Sequence, residues 1–502
     1  MMKSAIFHRQ VAILLFLLIH FLCYGQGINT CETETIEIGK KYKFHSEVLD
    51  EVREIWVYLP KGYESGTGNY PVIYVLDGHL AFIYTAGLLR QLRSKSVPNS
   101  ILIGLVGTDR RRDYTPPSEV QSEINDYPTS GGADNFIKML EEDLFPFVNN
   151  HFRTTEFKTI IGGSLGGLFV IYALATKPDL FNAYLSFSPS LWWNNQKVVD
   201  YFEKSLIAKP DMKALLYMTM GAEGTAIGEM KRFGVGMMGG LMKLVGILES
   251  ESPMNIRWGY KIHPDESHNS CGIISTIEGF EFIYKDWFVL YPEREYLEYG
   301  IKSFEMRSQR IKKEFDEDWD LSNQEYYSIM LILYELEMLS ECRDLGLSLL
   351  QKDKFFFALY QTLGNAFSGL GDNENANKYY QEAYKSSPGN PEINKIIDSL
   401  GIDKRSLVPP YKLSTEEFEK LEGKYINNWN GNEISISFSM DTILYFSPDG
   451  KFQLIPTSKN KAYFINSSTT VEFCFDGDKV SPASYYILRL RDGEELKCSR
   501  KD

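Results

Sequence analysis

The chain has 502 residues, of which 43% are hydrophobic and 14% aromatic. This composition is typical of folded protein and excludes a disordered chain, while the length exceeds what one ordinary core holds, so we expect two or three domains. The net charge of −14 excludes a broad basic surface. We therefore expect no nucleic-acid partner.

The N-terminal segment has the pattern of a secretory signal. Lys3 and Arg9 precede an apolar run from Val11 to Cys23, and a small-x-small pattern ends at Gly25. The run is about 13 residues long, short of the roughly 20 that span a bilayer. We expect residues 1–25 to be a cleaved signal peptide and the protein to be bacterial and exported, periplasmic or secreted, without a stable membrane span.

Cleavage of this segment would change the net charge from −14 to −16, because the segment contains two basic residues, Lys3 and Arg9, and no acidic residue. Five cysteines would remain, an odd count that leaves at least one thiol unpaired in an oxidising compartment. They are Cys31, Cys271, Cys342, Cys474 and Cys498. Cys474 and Cys498 lie in one β-rich segment, where they could bridge its strands.

Apolar β-type runs alternate with helical patterns from Glu54 to about Leu290, which predicts an α/β domain over residues 26–290. Several runs are continuously apolar, as expected for strands of a doubly wound, mostly parallel sheet with helices on both faces. The predicted strands are Ile55 to Leu59, Val72 to Leu76, Ile101 to Val106, Thr159 to Ile161, Ala183 to Phe187, Leu215 to Met220 and Ile256 to Ile262. Ligands of such sheets bind at the carboxyl ends of the strands.

Residues 291–402 are predicted to be helical, with one tetratricopeptide-like repeat of about 34 residues and a degraded copy before it. The pattern is carried by Tyr360, Leu363, Gly364, Phe367, Gly371, Ala376, Tyr380, Ala383 and Pro388. Two repeats are too few for a free-standing array, so we expect them to lean on a neighbour and to offer a surface for a protein partner. Short alternating runs in residues 411–502 predict a small antiparallel sheet or barrel.

The pentapeptide Gly162-Gly163-Ser164-Leu165-Gly166 lies between a β-rich run and an apolar helical run. A strand, a sharp turn and a helix around such a serine indicate a nucleophile elbow, which lifts the hydroxyl above the end of the sheet. The alternative is a glycine-rich turn that only packs a helix on a sheet.

A serine nucleophile needs a base, which follows it in the chain in sheets of this kind, with an acid between the two. Two histidines follow Ser164, namely His263 and His268. His268 lies in a polar loop after the last predicted strand and is the expected base, whereas His263 is interpreted as an ordinary strand-end residue. Glu223 is the expected acid, with Glu229, or a serine-histidine dyad without a firm acid, as alternatives.

An oxyanion formed at the substrate carbonyl needs two N–H donors. The residue after the nucleophile, Leu165, supplies one. The backbone of His79, with Gly78 close behind, is expected to supply the other from the loop after an earlier strand.

Five motifs in order carry a resemblance to a known family. They are Tyr70 to Gly78, Asp109 to Pro116, Gly162 to Gly167, Ser188 to Trp193 and Asp265 to His268. Over residues 35 to 290 the chain resembles the putative esterase family, which is similar to ferric enterobactin esterases, esterase D and feruloyl or acetyl xylan esterases. The resemblance implies the α/β-hydrolase fold and supports Ser164 as nucleophile and His268 as base. No metal or organic cofactor is expected.

Within that family, the arginine-rich and Pro-Ser-x-Trp-Trp elements look most like the siderophore esterases. Arg110 and Arg112 would attract an anionic substrate such as a ferric tris-catecholate, unless Asp113 pairs with them and only pins the loop. Trp192 and Trp193 would stack on catechol, feruloyl or sugar rings, or else serve as packing residues.

The sequence therefore predicts an exported serine carboxylic-ester hydrolase with a Ser-His-Glu triad, acting on a small-molecule or glycan ester and most similar to siderophore esterases. Alternatives are a carbohydrate esterase and an acyltransferase on the same site. A non-enzymatic alternative is a tetratricopeptide scaffold with a vestigial hydrolase domain.

Overall fold

The computed structural model describes residues 37–501 apart from 61, 65–67, 93–96, 108, 226–228, 288, 290, 316–317, 353–355, 410, 429–430, 440–441, 476–481 and 492–494. The chain forms two compact units. The first holds the described residues up to Gln91 together with Asn99–Gly279, and the second holds Leu92–Pro98 and the chain from Phe280. The predicted signal peptide and Cys31 lie outside the described residues.

An eight-stranded sheet forms the centre of the first unit, with the strand order β1-β2-β4-β3-β5-β6-β7-β8. The strands are β1 Lys40–Ser46, β2 Glu51–Tyr58, β3 Tyr70–Val75, β4 Ile101–Val106, β5 Thr154–Gly163, β6 Ala183–Phe187, β7 Ala214–Met220 and β8 Ile256–Ile262. Strands β3 to β8 run parallel, and β2 is antiparallel to β1 and to β4. The predicted α/β class with a mostly parallel sheet is confirmed.

The burial of the strands explains which of them the sequence reveals. Every residue of β6 and β7 is buried, so both strands are continuous apolar runs. Strand β1 is absent from the predicted set. It lies at the edge of the sheet and carries Lys40, Lys41 and Lys43, so its sequence has no apolar run. Lysines on an edge strand discourage pairing with other chains.

Nine α-helices accompany the described part of this sheet. They are α1 Gly78–Leu92, α2 Arg110–Tyr114, α3 Gln121–Asp126, α4 Ala133–Met139, α5 Phe145–His151, α6 Leu165–Thr176, α7 Lys197–Ala208, α8 Glu229–Glu251 and α9 Cys271–Ile283. Helix α6 is buried throughout from Leu165 to Ala175, which explains why its sequence is apolar on every face.

The second unit begins with the predicted helical segment. Its described helices are α10 Pro292–Tyr299, α11 Ile301–Phe315, α12 Asn323–Glu335, α13 Leu339–Gln351, α14 Phe357–Gly369, α15 Asn373–Ser386, α16 Pro391–Ser399, α17 Lys404–Leu407 and α18 Thr415–Glu419. Helices α14 and α15 pack closely because Gly364 has no side chain, and a Cβ there would lie 2.6 Å from the ring of Tyr380.

Eight antiparallel strands close into a barrel at the end of the second unit. They are β9 Gly423–Asn427, β10 Glu433–Ser439, β11 Thr442–Ser447, β12 Gly450–Ser458, β13 Lys461–Phe464, β14 Thr470–Cys474, β15 Tyr485–Arg489 and β16 Glu495–Arg500. Buried aromatic side chains, among them Tyr425, Tyr445, Phe473 and Tyr486, form its core. Of the predicted sheet or barrel, the barrel is the form observed.

The suggested bridge between Cys474 and Cys498 is wrong. Both thiols are free. Cys474 pairs with Tyr485 and Cys498 with Tyr486, so strand β15 lies between the two cysteines. Successive residues of a strand point to opposite faces, so the two sulfur atoms also lie on opposite sides of the barrel wall.

The barrel is the neighbour on which the helices lean. The Ala358 N–H donates to the Arg491 carbonyl at 3.1 Å, and the Asn390 side-chain amide donates to Ser468 Oγ at 2.6 Å. Gly389 packs against the Phe464 carbonyl so closely that a Cβ would collide with it. The helical segment and the barrel therefore share one packed interface.

In the described ranges, no helix combines the length and the apolar character needed to cross a membrane.

A partly buried ion-pair network ties β2 to helix α2 in the first unit. Arg112 donates to both carboxylate oxygens of Glu51, at 3.0 and 2.7 Å, and Arg53 donates to Asp113 at 2.8 Å. Arg53 is 2% exposed and Asp113 1%. The hydrogen bonds from Arg112 hold the pKa of Glu51 at about 2, down from 4.5.

Replacement Glu51→Gln should lower the free energy of unfolding by about 1 to 2 kcal/mol near neutral pH. Arg53 also donates to Glu51, at 2.7 Å, so the guanidinium groups of Arg53 and Arg112 both lose their shared anion. The lowered pKa means that Glu51 stabilises the fold fully above pH 4.5 and loses this effect as the pH falls towards 2. Urea unfolding at several pH values should therefore show the two proteins converging in acid. The exposed pair of Glu142 with Lys138, 3.7 Å apart, provides the control, and Glu142→Gln should cost about 0.5 kcal/mol or less. A Glu51→Gln deficit that stays constant as the pH falls would contradict this account.

Candidate active site

Ser164 sits on a strained turn between β5 and α6. Its backbone has φ 58° and ψ −120°, a conformation that a residue with a side chain rarely adopts. Gly162 and Gly166 make the turn feasible, because a Cβ on Gly162 would collide with the Gly166 carbonyl group. The predicted strand, turn and helix are all present, and this geometry matches a nucleophile elbow.

Hydrogen bonds from the end of β6 hold the strained turn. The Ser164 N–H donates to the Phe187 carbonyl at 2.9 Å, and the Ser190 N–H donates to the Ser164 carbonyl at 3.0 Å. The Ser164 and Ser190 hydroxyl oxygens lie 3.4 Å apart. The backbone around Ser164 is thus held from both sides, which leaves its hydroxyl at the carboxyl edge of the sheet.

His268 and Glu223 form a hydrogen-bonded pair on the two loops that follow β8 and β7. His268 Nδ1 lies 2.7 Å from Glu223 Oε1. An ionised carboxylate only accepts hydrogen bonds, so the imidazole hydrogen is on Nδ1 and Nε2 is left as an acceptor. The Glu223 side chain is 5% exposed and that of His268 29%, so the carboxylate is more deeply buried than the imidazole.

The environment of Glu223 keeps it ionised. Burial by itself would raise its pKa, but the hydrogen bonds from His268 and Ser188 outweigh this effect, and the pKa falls below 4.5. At neutral pH Glu223 is therefore an anion that can orient the imidazole and stabilise its protonated form.

The loop that carries Glu223 (the acid loop of the predicted triad) and the loop that carries His268 (its base loop) are joined through their backbones. The Ala222 N–H donates to the Glu266 carbonyl at 2.8 Å. Gly221 permits this approach, since a Cβ there would lie 2.9 Å from that carbonyl oxygen and 3.0 Å from Glu223 Oε2. The alignment of Glu223 with His268 therefore depends on the absence of a side chain at position 221.

Ser164 and His268 line the same cavity, which has a volume of about 720 Å³. The described lining residues also come from α1, α2, the elbow, the loop after β6 and the start of α9. They are Val75, Leu76, Asp77, Leu80, Ala81, Tyr84, Arg110, Ile161, Gly162, Gly163, Phe187, Ser188, Asn269, Cys271, Gly272 and Ile273. The cavity is large enough for a small-molecule substrate.

The predicted oxyanion donors lie at the first turns of two helices, α6 for Leu165 and α1 for Gly78 and His79. Strands β3 and β5, which lead into these helices, are neighbours in the sheet. A Cβ on Gly166 would lie 3.7 Å from Asp77 Oδ2, so the two turns are in contact. In the described part of the chain no acceptor takes the N–H groups of Leu165 or His79, as is usual in the first turn of a helix.

The two arginines differ in position. Arg110 lines the cavity and donates to both carboxylate oxygens of Asp77, each at 2.9 Å. Arg112 belongs to the network with Glu51 and Asp113 and is not among the described lining residues. For Arg112 the structure favours the alternative interpretation, in which Asp113 pins the loop.

The two tryptophans are packing residues and are not among the described residues that line the cavity. Trp193 is fully buried, and its indole N–H donates to the Pro116 carbonyl at 2.9 Å. Trp192 is half-buried against Trp193 and Tyr127. The structure thus places both residues in the packing role that the sequence left open.

The remaining candidates also have defined places. His263 is buried at the end of β8, with Nε2 3.0 Å from Glu278 Oε2. The side chain of Glu229 lies outside the described residues, although its backbone begins α8. Sequence analysis missed Leu80 and Ile273 as lining residues, because an isolated aliphatic residue on a helix carries no functional signal.

Part of the first unit is similar to a known protein family. Residues 46–232 match the family model described as "Putative esterase". This part of the chain is therefore similar to the esterase family. The matched segment contains the elbow and Glu223, and it ends before His268.

Curated proteins similar to this chain include two siderophore esterases. One is the ferri-bacillibactin esterase of Bacillus subtilis, 34% identical in an alignment 155 positions long that covers 27% of this chain and 53% of that protein. The other is the siderophore enterobactin esterase of Emericella nidulans, 35% identical in an alignment 146 positions long that covers 25% of this chain and 48% of that protein. The chain spans about half the length of these relatives.

Solved structures support the α/β-hydrolase fold. An IroE-like serine hydrolase from Shewanella oneidensis aligns with 61% of this chain and 97% of its own at a TM-score of 0.52 and 25% identity. An uncharacterised protein from Capnocytophaga ochracea aligns with 72% of this chain and 99% of its own at a TM-score of 0.55 and 19% identity. The second likeness concerns the fold alone.

Replacement Gly221→Ala should displace the acid loop from the base loop and slow the reaction of Ser164 with a fluorophosphonate probe by about 10- to 100-fold. The melting temperature should be recorded alongside, so that unfolding is separated from misalignment. Gly246 on α8 serves as the control, because no atom lies within 4 Å of a Cβ placed there. Gly246→Ala should leave the labelling rate unchanged. Equal labelling rates for Gly221→Ala and the wild type would show that this contact does not align the site.

Proposed function

We propose that the esterase domain is a serine carboxylic-ester hydrolase of the siderophore-esterase type, with Ser164, His268 and Glu223 as its catalytic triad. The names of the two curated relatives support the reaction class. The observation that carries the proposal is the strained Ser164 in one cavity with His268, whose Nδ1 is held 2.7 Å from Glu223.

In this mechanism the Ser164 hydroxyl attacks the ester carbonyl while His268 Nε2 accepts its proton. The imidazolium that forms lies against the buried, ionised Glu223. His268 then gives the proton to the leaving alcohol, and an acyl-enzyme remains. Water attacks this acyl-enzyme with His268 as base again, which releases the acid and restores Ser164.

The N–H groups of Leu165 and His79 stabilise the negative charge on the carbonyl oxygen. Gly78, which precedes His79, is part of the same oxyanion loop. Each donor of this kind contributes about 3 to 4 kcal/mol to the stabilisation of the transition state. Both donors are first-turn N–H groups, where the helix dipole also favours negative charge.

The proposed substrate is a small-molecule carboxylic ester that the cavity of about 720 Å³ can hold. Arg110 is its proposed polar contact, since it lines the cavity with a side chain that is 39% exposed. The packed positions of Trp192 and Trp193 remove the ring-stacking argument for a feruloyl or sugar ester.

Export and protein binding belong to the same proposal. The segment from Lys3 to Gly25 supports export, and it lies outside the described residues. The helix pair α14 and α15, with Gly364 at its crossing, supports a tetratricopeptide-like repeat that offers a surface for a protein partner.

Replacement Ser164→Ala should abolish covalent labelling by a fluorophosphonate and lower kcat/KM on para-nitrophenyl hexanoate by at least about 10⁴-fold. Ser190 provides the matched control, because its hydroxyl is 3.4 Å from that of Ser164. Ser190→Ala should keep labelling and activity within about tenfold of the wild type. Full labelling of the Ser164→Ala variant would contradict the assignment of Ser164 as the nucleophile.

Replacement Glu223→Gln should lower kcat by about 10²- to 10⁴-fold, because a neutral amide neither selects the imidazole tautomer nor stabilises the imidazolium. Glu229→Gln should change kcat by less than about threefold. The comparison decides between the alternatives that the sequence left open. Full activity of both variants would indicate a serine-histidine dyad, and a loss confined to Glu229→Gln would reassign the acid.

A further inference from the structure

Two large aliphatic side chains stand at the mouth of the active-site cavity. Leu80, on the first turn of α1, is 71% exposed, and Ile273, on the first turn of α9, is 50% exposed. Both line the cavity that contains Ser164 and His268. Tyr84, one helical turn after Leu80, lines it as well.

The two helices bring these side chains to the same opening. A Cβ on Gly272 would lie 3.4 Å from the Tyr84 hydroxyl oxygen, so the start of α9 is in contact with α1. Leu80 and Ile273 therefore lie on two adjoining helices that both line the cavity. Large aliphatic groups left in water at a concave site favour an apolar ligand group that covers them.

The charges of the described lining residues do not favour an anion. Arg110 and Asp77 are the two oppositely charged side chains among them, and they share two hydrogen bonds of 2.9 Å. The guanidinium charge is balanced by this carboxylate, whose side chain is only 10% exposed. A second carboxylate or other anion close to Arg110 would be repelled by Asp77.

We propose that the cavity selects esters whose acyl group is uncharged and apolar, with Leu80 and Ile273 as the residues that determine this specificity. The proposal rests on the ester hydrolysis proposed above. The apolar acyl group covers Leu80 and Ile273 while the ester carbonyl reaches Ser164. This differs from the anionic substrate that the arginine-rich motif suggests, because Arg110 and Arg112 are both paired with carboxylates of the protein itself.

The test compares two esters that share a leaving group and a chain length, para-nitrophenyl hexanoate and the para-nitrophenyl monoester of adipic acid. They differ in a terminal methyl group against a terminal carboxylate. The full-length wild-type protein should prefer the hexanoate by at least about tenfold in kcat/KM, after subtraction of spontaneous hydrolysis. An equal rate, or a preference for the adipate, would overturn the proposal.

Variants assign the preference to the two residues. Leu80→Lys and Ile273→Lys should each lower kcat/KM for the hexanoate and raise it for the adipate, so that the ratio falls by about tenfold or more. The control is Ile207→Lys, since Ile207 is 64% exposed on α7 and is not among the described lining residues. It should leave the ratio unchanged, and an equal shift in Ile207→Lys would show an effect of overall charge alone.

The outcomes separate this proposal from the proposed function. If neither ester is hydrolysed in a Ser164-dependent manner, the function itself fails. If both are hydrolysed through Ser164 but the ratio does not respond to Leu80→Lys or Ile273→Lys, only the specificity proposal fails.

Discussion

The contact between the backbones of Gly162 and Gly166 is the constraint on which the active site depends. The chain must leave a buried strand, turn sharply and begin a buried helix, and a Cβ at position 162 would collide with the carbonyl group of residue 166. This close approach forces Ser164 into its conformation at φ 58°. Two backbone hydrogen bonds hold this strained turn. The Ser164 N–H donates to the Phe187 carbonyl at the end of the neighbouring strand, and the Ser190 N–H in the following loop donates to the Ser164 carbonyl.

The parallel sheet brings the other functional groups to the same place. Strands β3, β5, β7 and β8 all end at one edge, and they are followed in turn by four proposed groups: the oxyanion donor His79, the nucleophile Ser164, the acid Glu223 and the base His268. Because these four groups come from separate loops, their alignment requires contacts between loops. The Ala222 to Glu266 hydrogen bond and the approach of Asp77 to the elbow are such contacts.

Local signals explain what the sequence could predict. The elbow requires glycines at fixed positions, and the buried strands of this fold have continuous apolar sequences, so Ser164 and seven of the eight strands of the sheet were predictable. Glu223 and His268 followed from their places after the last two strands. The pairing of Glu223 with His268 at 2.7 Å agrees with that prediction.

Other features depend on partners far away in the chain, which a local pattern does not contain. Arg112 and Trp193 resemble binding residues in the sequence. In the structure both have internal partners instead, because Arg112 donates to Glu51 and the Trp193 indole donates to the Pro116 carbonyl. Cys474 and Cys498 share a segment but are separated by β15. Leu80 and Ile273 become neighbours of the site only when α1 and α9 meet.

The central claim is that Ser164 is the reactive nucleophile of this chain. The most direct measurement is peptide mapping by mass spectrometry of the wild-type protein after reaction with an organophosphate, which locates the adduct without any substitution. The account predicts one adduct, on the peptide that contains Ser164, and no adduct in acid-unfolded protein. An adduct on Ser190 or on another residue, with Ser164 unmodified, would contradict it.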